Sequence, residues 1–302
     1  SYYMSPAEYQ AYKLYSANQY VGLGVTIDKD ASTGGMKITG VYEDSPAANA
    51  GLEAGDIILT INGTDITSMT VGDAQSVIEA NTGETVQLHI QNSDGNQSDI
   101  SVNCAVVYTN PVTYEMLSGS IGYIEIANFQ SGAAESAISA IESLLNQGAL
   151  GFIFDVRSNP GGLVSELTAL LDYLLPSGTI FISVDKDGNE TATESDSVCL
   201  DMPMAVLVNE YSYSAAEFFA AALQEYNWAD IIGAQTTGKS RSQQTIELSD
   251  GSAIHVSTAR YLTPMRVDLA EQGGIVPDQI VALTSTGDAQ RDAALAAVQL
   301  MT

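Results

Sequence analysis

Basic residues are scarce in this chain. Its 302 residues contain ten Lys and Arg against 37 Asp and Glu, which gives a formal net charge of -27. Because nucleic-acid phosphates are bound mainly by Lys and Arg, this balance argues against DNA or RNA as a partner. Acidity of this kind keeps a protein soluble and limits non-specific adhesion.

Cysteine is scarce as well, and long apolar runs are missing. Cys104 and Cys199 give neither the spacing of a metal site nor a disulfide framework, so we expect two separate thiols while their pairing stays open. No metal site and no cofactor is predicted. No apolar run approaches the length of a membrane span. The chain begins at Ser1 without an initiator Met or a signal peptide, which we interpret as a fragment or mature form whose leader is missing.

Histidine, the commonest general base in enzymes, occurs only as His89 and His255. Each lies in an alternating pattern that predicts a β-strand, where a half-buried sheet histidine is the expected role. A Ser-His-Asp arrangement therefore has weak support.

The length predicts two domains of ordinary size. Residues 1–18 are predicted as a loop and a short helix that lead into residues 19–106, a small and mainly β module. A helix is predicted at Val71–Ala80, and the Asn62-Gly63 pair is a strong hairpin signal. The predicted strands are Gly22–Ile27, Met36–Tyr42, Ile57–Ile61, Thr85–Gln91 and Asp99–Val106.

Over residues 107–302 strands alternate with helices, which is the pattern of a layered α/β sheet. The predicted strands are 121–129, 151–156, 204–208 and 231–234, with a later hairpin of 245–248 and 253–258. Helices are predicted at 132–147, 163–174 and 288–301, and a further helix begins at Ser214.

Two turns in this region carry candidate chemistry. The first, Asn159-Pro160-Gly161-Gly162, follows a buried strand, and its glycines leave backbone N–H groups uncovered, as in an oxyanion hole or a plain tight turn. The second leads from strand Met204–Val208 into a helix that opens with Ser214 and Ala215. There, unpaired N–H groups and the helix dipole favour a developing negative charge.

Lys239 lies in a Gly-Lys turn 25 residues after Ser214. A strand-helix-strand unit returns its ends to one edge of a sheet, so the two side chains can meet. A serine at a helix start is also an ordinary N-cap, and a lysine in a glycine turn is often solvated. The spacing alone leaves these interpretations open.

The run Ser45–Gly63, Ser-Pro-x-x-x-Ala-Gly-Leu-x-x-Gly-Asp-x-Ile-x-x-Ile-Asn-Gly, resembles a PDZ domain. Within that resemblance, the segment Gly22-Leu23-Gly24-Val25 matches the loop whose backbone N–H groups bind a peptide's C-terminal carboxylate. Glycines permit this close approach of backbone to ligand, and the next strand can pair with an extended peptide.

Taken in order, these parts resemble the carboxyl-terminal processing peptidases, or tail-specific proteases, which are serine proteases with a Ser-Lys dyad and an embedded PDZ domain. The similarity covers nearly the whole chain and is carried by Tyr3–Tyr9, Asp155–Gly162, Ser212–Glu217 and Thr237–Gln243. It implies an α/β fold with a layered peptidase core of the crotonase or ClpP type, beside a small, mainly β PDZ domain.

The resemblance also implies site roles. Ser214 matches the nucleophile, Lys239 its general base and Gln243 the glutamine that supports the lysine. The backbone N–H groups of Ala215 and of Gly161 or Gly162 would hold the oxyanion.

A basic lysine must be neutral to accept a proton, and burial favours the neutral amine. We expect Ile231, Ile232 and the Ala-rich helix to exclude water from Lys239. Thr237, Ser240 and Tyr213 depart from the family's usual Phe, Gly and Ala, and we expect them to tune the site without silencing it.

The substrate implied is a protein or peptide with an accessible, apolar C-terminus. The resemblance implies an extracytoplasmic place, in the cell envelope, the periplasm or secreted. The family's N-terminal helical region is absent, so a membrane tether in the full-length protein and any dimer built on that region stay open.

Two other functions remain open at this point. The peptidase core could be a catalytically degenerate scaffold beside a domain that binds C-termini. Alternatively, the Ser-Lys chemistry could act on a non-peptide amide or ester, because fold does not fix substrate.

Overall fold

The computed structural model describes residues 1–79 and 84–302. The chain divides into two compact units, a large unit of residues 1–18 and 110–302 and a small unit of residues 19–109. The strands are β1 (Tyr2–Met4), β2 (Gln19–Gly22), β3 (Val25–Lys29), β4 (Met36–Val41), β5 (Ile57–Ile61), β6 (Thr64–Asp65), β7 (Thr85–Gln91), β8 (Gln97–Asn103), β9 (Ala105–Tyr108), β10 (Val112–Leu117), β11 (Ile121–Ile126), β12 (Gly151–Asp155), β13 (Gly178–Val184), β14 (Glu190–Ser195), β15 (Met204–Val208), β16 (Asp230–Gly233), β17 (Arg241–Glu247), β18 (Ala253–Leu262) and β19 (Gln279–Ile280). The helices are α1 (Pro6–Ser16), α2 (Pro46–Asn49), α3 (Val71–Glu79), α4 (Ala133–Asn146), α5 (Val164–Leu174), α6 (Ala215–Glu225), α7 (Leu269–Gln272) and α8 (Ala289–Met301).

The small unit is built on an antiparallel sheet in the order β3-β4-β5-β7-β8, with β6 beside β5 and a separate β2-β9 pair. Its core contains buried Ile, Leu, Val and Met side chains from alternate strand positions, such as Met36, Ile38 and Ile58. Strand β3 lies at the edge of this sheet. The last residue of the predicted helix, Ala80, lies outside the described residues.

Two strands predicted as continuous in the small unit are broken. The predicted strand Gly22–Ile27 is interrupted at Leu23 and Gly24, because Gly24 has φ +82, a left-handed conformation that cannot continue a strand. The predicted strand Asp99–Val106 is divided at Cys104 into β8 and β9, which pair with different partners.

The large unit is organised around a sheet in the order β10-β11-β12-β15-β16-β19. Strand β10 is antiparallel to β11, and the remaining neighbours are parallel. Both faces are covered, as parallel sheets require. Phe152 and Phe154 of β12 pack with helices α4, α5 and α6, whereas Ile153 between them packs with α8.

The carboxyl ends of β12, β15 and β16 meet at one edge because the three strands are parallel neighbours. The turns that follow these strands contain Asn159–Gly162, Asn209–Ser214 and Thr236–Lys239. A second sheet, β1-β18-β13-β14 with β17 beside β18, supplies further side chains to the same unit. No helix in the described part of the chain combines the length and apolarity needed to cross a membrane.

Candidate active site

Ser214 is the N-cap residue of α6 and has a strained backbone, with φ 52 and ψ -118. Such a conformation is rare for a residue with a side chain and persists only where its surroundings enforce it. The preceding turn is fixed by Ser212, whose N–H donates to Asn209 O at 2.9 Å and whose Oγ donates to Val156 O at 2.8 Å. Tyr213 N–H donates to Asn159 O at 2.9 Å, which joins this turn to the one after β12.

Glu217, one turn into α6, is fully buried and connects Ser214 with Lys239. Its Oε2 accepts hydrogen bonds from the backbone N–H groups of Ser214 at 2.9 Å and Lys239 at 2.8 Å. Its Oε1 accepts from Gly238 N–H at 2.6 Å and from Thr236 Oγ at 2.5 Å. One carboxylate therefore fixes the turn before Lys239 against the turn that holds Ser214.

No catalytic pattern in the sequence singled out Glu217, although a local structural signal was present. Ser214-x-x-Glu217 has the spacing of a capping box, in which the glutamate accepts from the N-cap N–H. The contact to Lys239 spans 22 residues and has no local signal.

Lys239 is half-buried, and its Nζ donates to Gln243 Oε1 at 3.4 Å. Both side chains line a cleft of about 270 Å³ together with Ser214. In this structure the described residues show no hydrogen bond between Ser214 Oγ and Lys239 Nζ. The expectation that Ile231 and Ile232 exclude water from the lysine is wrong, because these side chains point into the two apolar layers on either face of the sheet.

The surroundings of Lys239 in the cleft are instead aromatic and polar. The lining comprises Tyr2, Tyr12, Tyr15, Gln130, Pro160, Gly162, Leu163, Val164, Ser214, Lys239, Arg241, Gln243, His255 and Tyr261. Four tyrosines and one histidine therefore line the cleft with Lys239, where isoleucines were expected.

His255 is a buried residue of β18, and its Nδ1 lies 2.8 Å from Thr245 Oγ. The rings of Tyr2 and Tyr12 lie 4.9 and 5.7 Å from its ring. Burial lowers the pKa of His255, and the charged form of Lys239 lowers it further, so both effects favour the neutral imidazole. His89 also lies in a strand, where a hydrogen bond to Asp99 at 2.7 Å raises its pKa.

The glycine turn after β12 packs directly on Ser214. A Cβ on Gly161 would lie 2.9 Å from Ser214 Cβ and 3.0 Å from Ala215 N, and a Cβ on Gly162 would lie 2.2 Å from Phe129 O. The N–H of Gly161 already donates to Asn159 Oδ1 at 2.8 Å. Within the described part of the chain, the N–H groups of Gly162 and Ala215 have no acceptor.

Asn159 holds this turn in place. It is fully buried, its Nδ2 donates to Ile126 O at 2.7 Å, and its Oδ1 accepts from Gly161 N–H. Below the turn, Arg157 donates to Asp155 and to Asp288 at 2.7 Å. Burial disfavours the charged guanidinium, but the two carboxylates outweigh burial and raise the pKa of Arg157.

The small unit has a groove of about 430 Å³ between β3 and α3. It is lined by residues 20–27 with Tyr42, Gln75 and Ile78. Leu23 is buried, and its carbonyl accepts from Ala47 N–H at 2.8 Å, which fixes the loop before the edge strand. The four loop residues predicted to bind a carboxylate, Gly22–Val25, all line this groove.

Cys104 and Cys199 are free thiols. Partial burial raises the pKa of Cys104. Within residues 1–79 and 84–302, no group of three or more His, Cys, Asp or Glu side chains is arranged to hold a metal ion.

Comparison with known proteins identifies both regions. The model of peptidase family S41 matches residues 120–281, and a PDZ domain model matches residues 37–92. The carboxyl-terminal-processing protease of Synechocystis sp. is 32% identical over 97% of this chain and 71% of that protein. The carboxy-terminal processing protease of Bacillus subtilis is 30% identical over 87% of this chain and 56% of that protein.

Solved structures agree with these matches. The photosystem II D1 C-terminal processing protease has a TM-score of 0.55 and 27% identity, and it covers 98% of this chain and 80% of its own. A putative S41 protease from Bacteroides fragilis, at 19% identity, shares the fold with a TM-score of 0.61 over 93% of this chain and 83% of its own.

The fold and the matched regions are those of a serine peptidase that carries a PDZ domain. The chain belongs to peptidase family S41. The predicted resemblance to carboxyl-terminal processing peptidases, the fold class and the assignment as a peptidase are thereby confirmed.

Proposed function

We propose that this protein is a serine endopeptidase that binds protein C-termini through its PDZ domain and cleaves near them with a Ser214-Lys239 dyad. The observation that carries the proposal is the Glu217 carboxylate, which accepts hydrogen bonds from the backbones of both dyad residues. A fully buried carboxylate with four donors is a rigid connection between the two turns, which the hydrogen bond from Thr237 Oγ1 to Glu210 O at 2.7 Å also joins.

In the proposed reaction, the neutral Lys239 amine takes the proton from Ser214 Oγ as the oxygen attacks the peptide carbonyl. The carbonyl oxygen becomes an oxyanion, which the N–H groups of Gly162 and Ala215 stabilise. Each such donor contributes about two to three decades of rate. Lys239 then returns the proton to the leaving amine, and water hydrolyses the acyl-enzyme with the same lysine as base.

Gly162 is a better oxyanion donor than Gly161 because the Gly161 N–H is occupied by Asn159. Gly161 is proposed to act by its lack of a side chain, which lets the turn approach Ser214. Gln243 orients the lysine amine by accepting its hydrogen bond.

Ser214 and Lys239 share a cleft without a mutual hydrogen bond, and catalytic hydrogen bonds are often long before substrate binds. We propose that a peptide in the cleft displaces water and brings Nζ onto Oγ. The aromatic lining favours an apolar residue next to the cleaved bond.

In the PDZ domain, an extended peptide would add to the open edge of β3, and its carboxylate would receive N–H donors from the loop Gly22–Val25. Because this arrangement binds an extended peptide by its C-terminus, we propose that the substrates are proteins or peptides. We propose that this protein acts outside the cytoplasm, as the family resemblance implies, and two relatives are named as chloroplastic processing peptidases.

The test is cleavage of an unstructured peptide with an apolar C-terminus, supplied as free acid and as amide, with products read by mass spectrometry. We expect wild type to cleave the free acid preferentially, and Ser214→Ala and Lys239→Ala each to abolish cleavage. Normal cleavage by Lys239→Ala would show that the dyad assignment is wrong.

The same experiment separates the alternatives. Peptide binding without turnover by the wild-type chain would favour a degenerate scaffold. Rapid hydrolysis of small esters or amides, with indifference to peptide C-termini, would favour a non-peptide substrate.

A further inference from the structure

The peptide unit between Gly161 and Gly162 carries the N–H that is proposed to hold the oxyanion. Its carbonyl oxygen, Gly161 O, accepts a hydrogen bond from Phe129 N–H at 2.9 Å. Because the C=O and N–H of a trans peptide point in opposite directions, this hydrogen bond also sets the direction of the Gly162 N–H. Adjacent glycines resist rotation of the peptide between them only weakly, so the orientation of this donor depends on Phe129.

Phe129 lies in segment 127–132, which connects β11 to α4 and belongs to neither a sheet nor a helix. It forms an isolated parallel bridge with Gly162, in which the Phe129 carbonyl accepts from Leu163 N–H at 2.7 Å. The segment therefore binds the glycine turn on both sides of Gly162. Since no regular element holds this segment, its own position depends on contacts with other parts of the chain.

Asn18 supplies two of these contacts. Its Nδ2 donates to Ser131 O at 3.0 Å, and its Oδ1 accepts from Asn128 Nδ2 at 2.9 Å. Asn128 Oδ1 in turn accepts from Gln130 N–H at 2.9 Å. The residues on both sides of Phe129 are thus joined in one hydrogen-bond network that ends at the Asn18 side chain.

The position of Asn18 is itself well fixed. The residue is 5% exposed and its backbone N–H donates to Tyr15 O, at the end of α1, at 3.0 Å. Its φ of 53 is left-handed, a conformation that asparagine tolerates better than most residues. Asn18 belongs to the large unit, so both side-chain hydrogen bonds are made within that unit.

We propose that Asn18 is a positioning residue of the oxyanion site, which holds segment 127–132 so that the Gly162 N–H points at the developing oxyanion. The inference rests on the proposed peptidase reaction of Ser214. Asn18 touches neither substrate nor reacting atoms in that reaction. Its loss should therefore slow the chemical step and leave substrate binding nearly unchanged.

Asn18→Gly is the variant that tests this role. Glycine adopts the left-handed conformation freely, so the backbone is kept while both side-chain hydrogen bonds are removed. In steady-state cleavage of an unstructured peptide, we expect kcat to fall about tenfold and KM to change by no more than about twofold, because a whole oxyanion donor contributes about two to three decades of rate.

A peptide aldehyde gives a readout that a loss of stability alone does not change. Its carbonyl carbon forms a bond to Ser214 Oγ, the serine proton passes to Lys239, and the carbonyl oxygen becomes an oxyanion that Gly162 and Ala215 stabilise. We expect Asn18→Gly to weaken inhibition by the aldehyde about tenfold, as it slows cleavage. The corresponding peptide alcohol forms no such adduct and should inhibit the variant and wild type equally.

Asn227→Gly is the matched control. Asn227 follows the end of α6 with φ 52, and its exposed side chain makes no hydrogen bond within the described residues. This variant should keep the wild-type kcat and the wild-type aldehyde inhibition. Thermal unfolding of every variant shows that the assays are made on folded protein.

Asn128→Ala removes the partner amide of Asn18. If the two asparagines act through one network, the double variant with Asn18→Gly should retain the kcat of the slower single variant. Losses that multiply in the double variant would show that the two residues act separately, which would contradict the inference.

The outcomes separate this inference from the proposed function. If wild type cleaves the peptide and Ser214→Ala does not, but Asn18→Gly keeps wild-type kcat and aldehyde inhibition, the Asn18 inference is wrong and the peptidase proposal stands. Equal weakening of aldehyde and alcohol would contradict the inference as well, because it would show a general disturbance of the cleft. If wild type does not cleave, the peptidase proposal fails and the Asn18 inference fails with it.

Discussion

Glu217 Oε2 accepts a hydrogen bond from the backbone N–H of Lys239 at 2.8 Å, although the two residues are 22 positions apart. The same oxygen accepts from Ser214 N–H. The relative position of the proposed nucleophile and base therefore depends on a residue that neither accepts a proton nor touches substrate in the proposed reaction.

Glu217→Gln is expected to reduce kcat/KM for peptide cleavage by one to two orders of magnitude. A glutamine has one acceptor oxygen, so its NH2 group would face at least one backbone N–H donor and leave it unpaired. We expect a loss of about 1–3 kcal/mol in stability as well.

Glu166→Gln is the matched control, because Glu166 also accepts backbone N–H groups, those of Gly132 and Ala134 at the start of α4. It should lower stability while leaving the activity of the folded enzyme unchanged. Equal loss of activity in the two variants would contradict the positioning role of Glu217.

Gly161→Ala should lower kcat by about two orders of magnitude or more, since the new Cβ would push on Ser214 and on Ala215 N, a proposed oxyanion donor. Gly148→Ala separates this effect from backbone strain. Its φ of +90 nearly equals the +89 of Gly161, but no atom lies within 4 Å of the added Cβ. Both variants carry about 1–2 kcal/mol of strain, and only Gly161→Ala is expected to lose activity in steady-state assays.

The pKa of His255 should lie below the ordinary histidine value of 6.5, and the pKa of His89 should lie above it. Proton NMR resolves both, since the chain has no other histidine. Lys239→Ala removes a positive charge near His255 and should move its pKa upward while that of His89 stays fixed. An unchanged pKa of His255 would show either that Lys239 is already neutral over this pH range or that the two side chains do not interact.

These pKa shifts also set the sign of the pH dependence of stability. Because the pKa of His255 is depressed, its contribution is present above pH 6.5 and is lost as the pH falls through the folded pKa. His89 has the opposite sign, so its contribution is present in acid and is lost as the pH rises through its raised pKa. In thermal unfolding at pH 5 and 7, His255→Gln should lessen the loss in acid and His89→Gln should increase it.

Arg157→Ala should destabilise the large unit by about 3–5 kcal/mol, because it leaves the buried Asp155 without its partner. The exposed pair of Lys186 and Asp187 offers the comparison, and Lys186→Ala should cost 1 kcal/mol or less. Calorimetric unfolding measures both. Tyr123 also donates a hydrogen bond to Asp155, from its phenol at 2.6 Å, and similar small losses would mean that this bond is enough to satisfy the carboxylate.

The sequence predicted most of the fold because its signals are local. Alternating strands and helices, the Asn62-Gly63 turn and the glycines after β12 each depend on neighbouring residues. Signals that depend on distant contacts were missed. The pattern Ser214-x-x-Glu217 indicates a capping box. The hydrogen bond from Lys239 N–H to Glu217 could not be predicted, because it depends on where the chain runs after β16.

The expectation for Ile231 and Ile232 failed for a related reason. Apolar residues near Lys239 in sequence were assumed to lie near its amine, whereas adjacent residues of a strand point to opposite faces of the sheet. The aromatic side chains that line the cleft with the lysine come from residues 2–15 and from β18, which no spacing rule connects to it.

The positive φ of Ser214 lowers the stability of the protein at the residue that the proposed reaction requires. A residue with a side chain in such a conformation costs of order 1–3 kcal/mol, and glycine would remove this cost together with the proposed nucleophile. Selection of random variants for heat resistance alone should therefore favour Ser214→Gly, an inactive protein that unfolds at a higher temperature than its parent. If Ser214 is retained among variants in spite of its cost in stability, selection for catalytic activity is the reason.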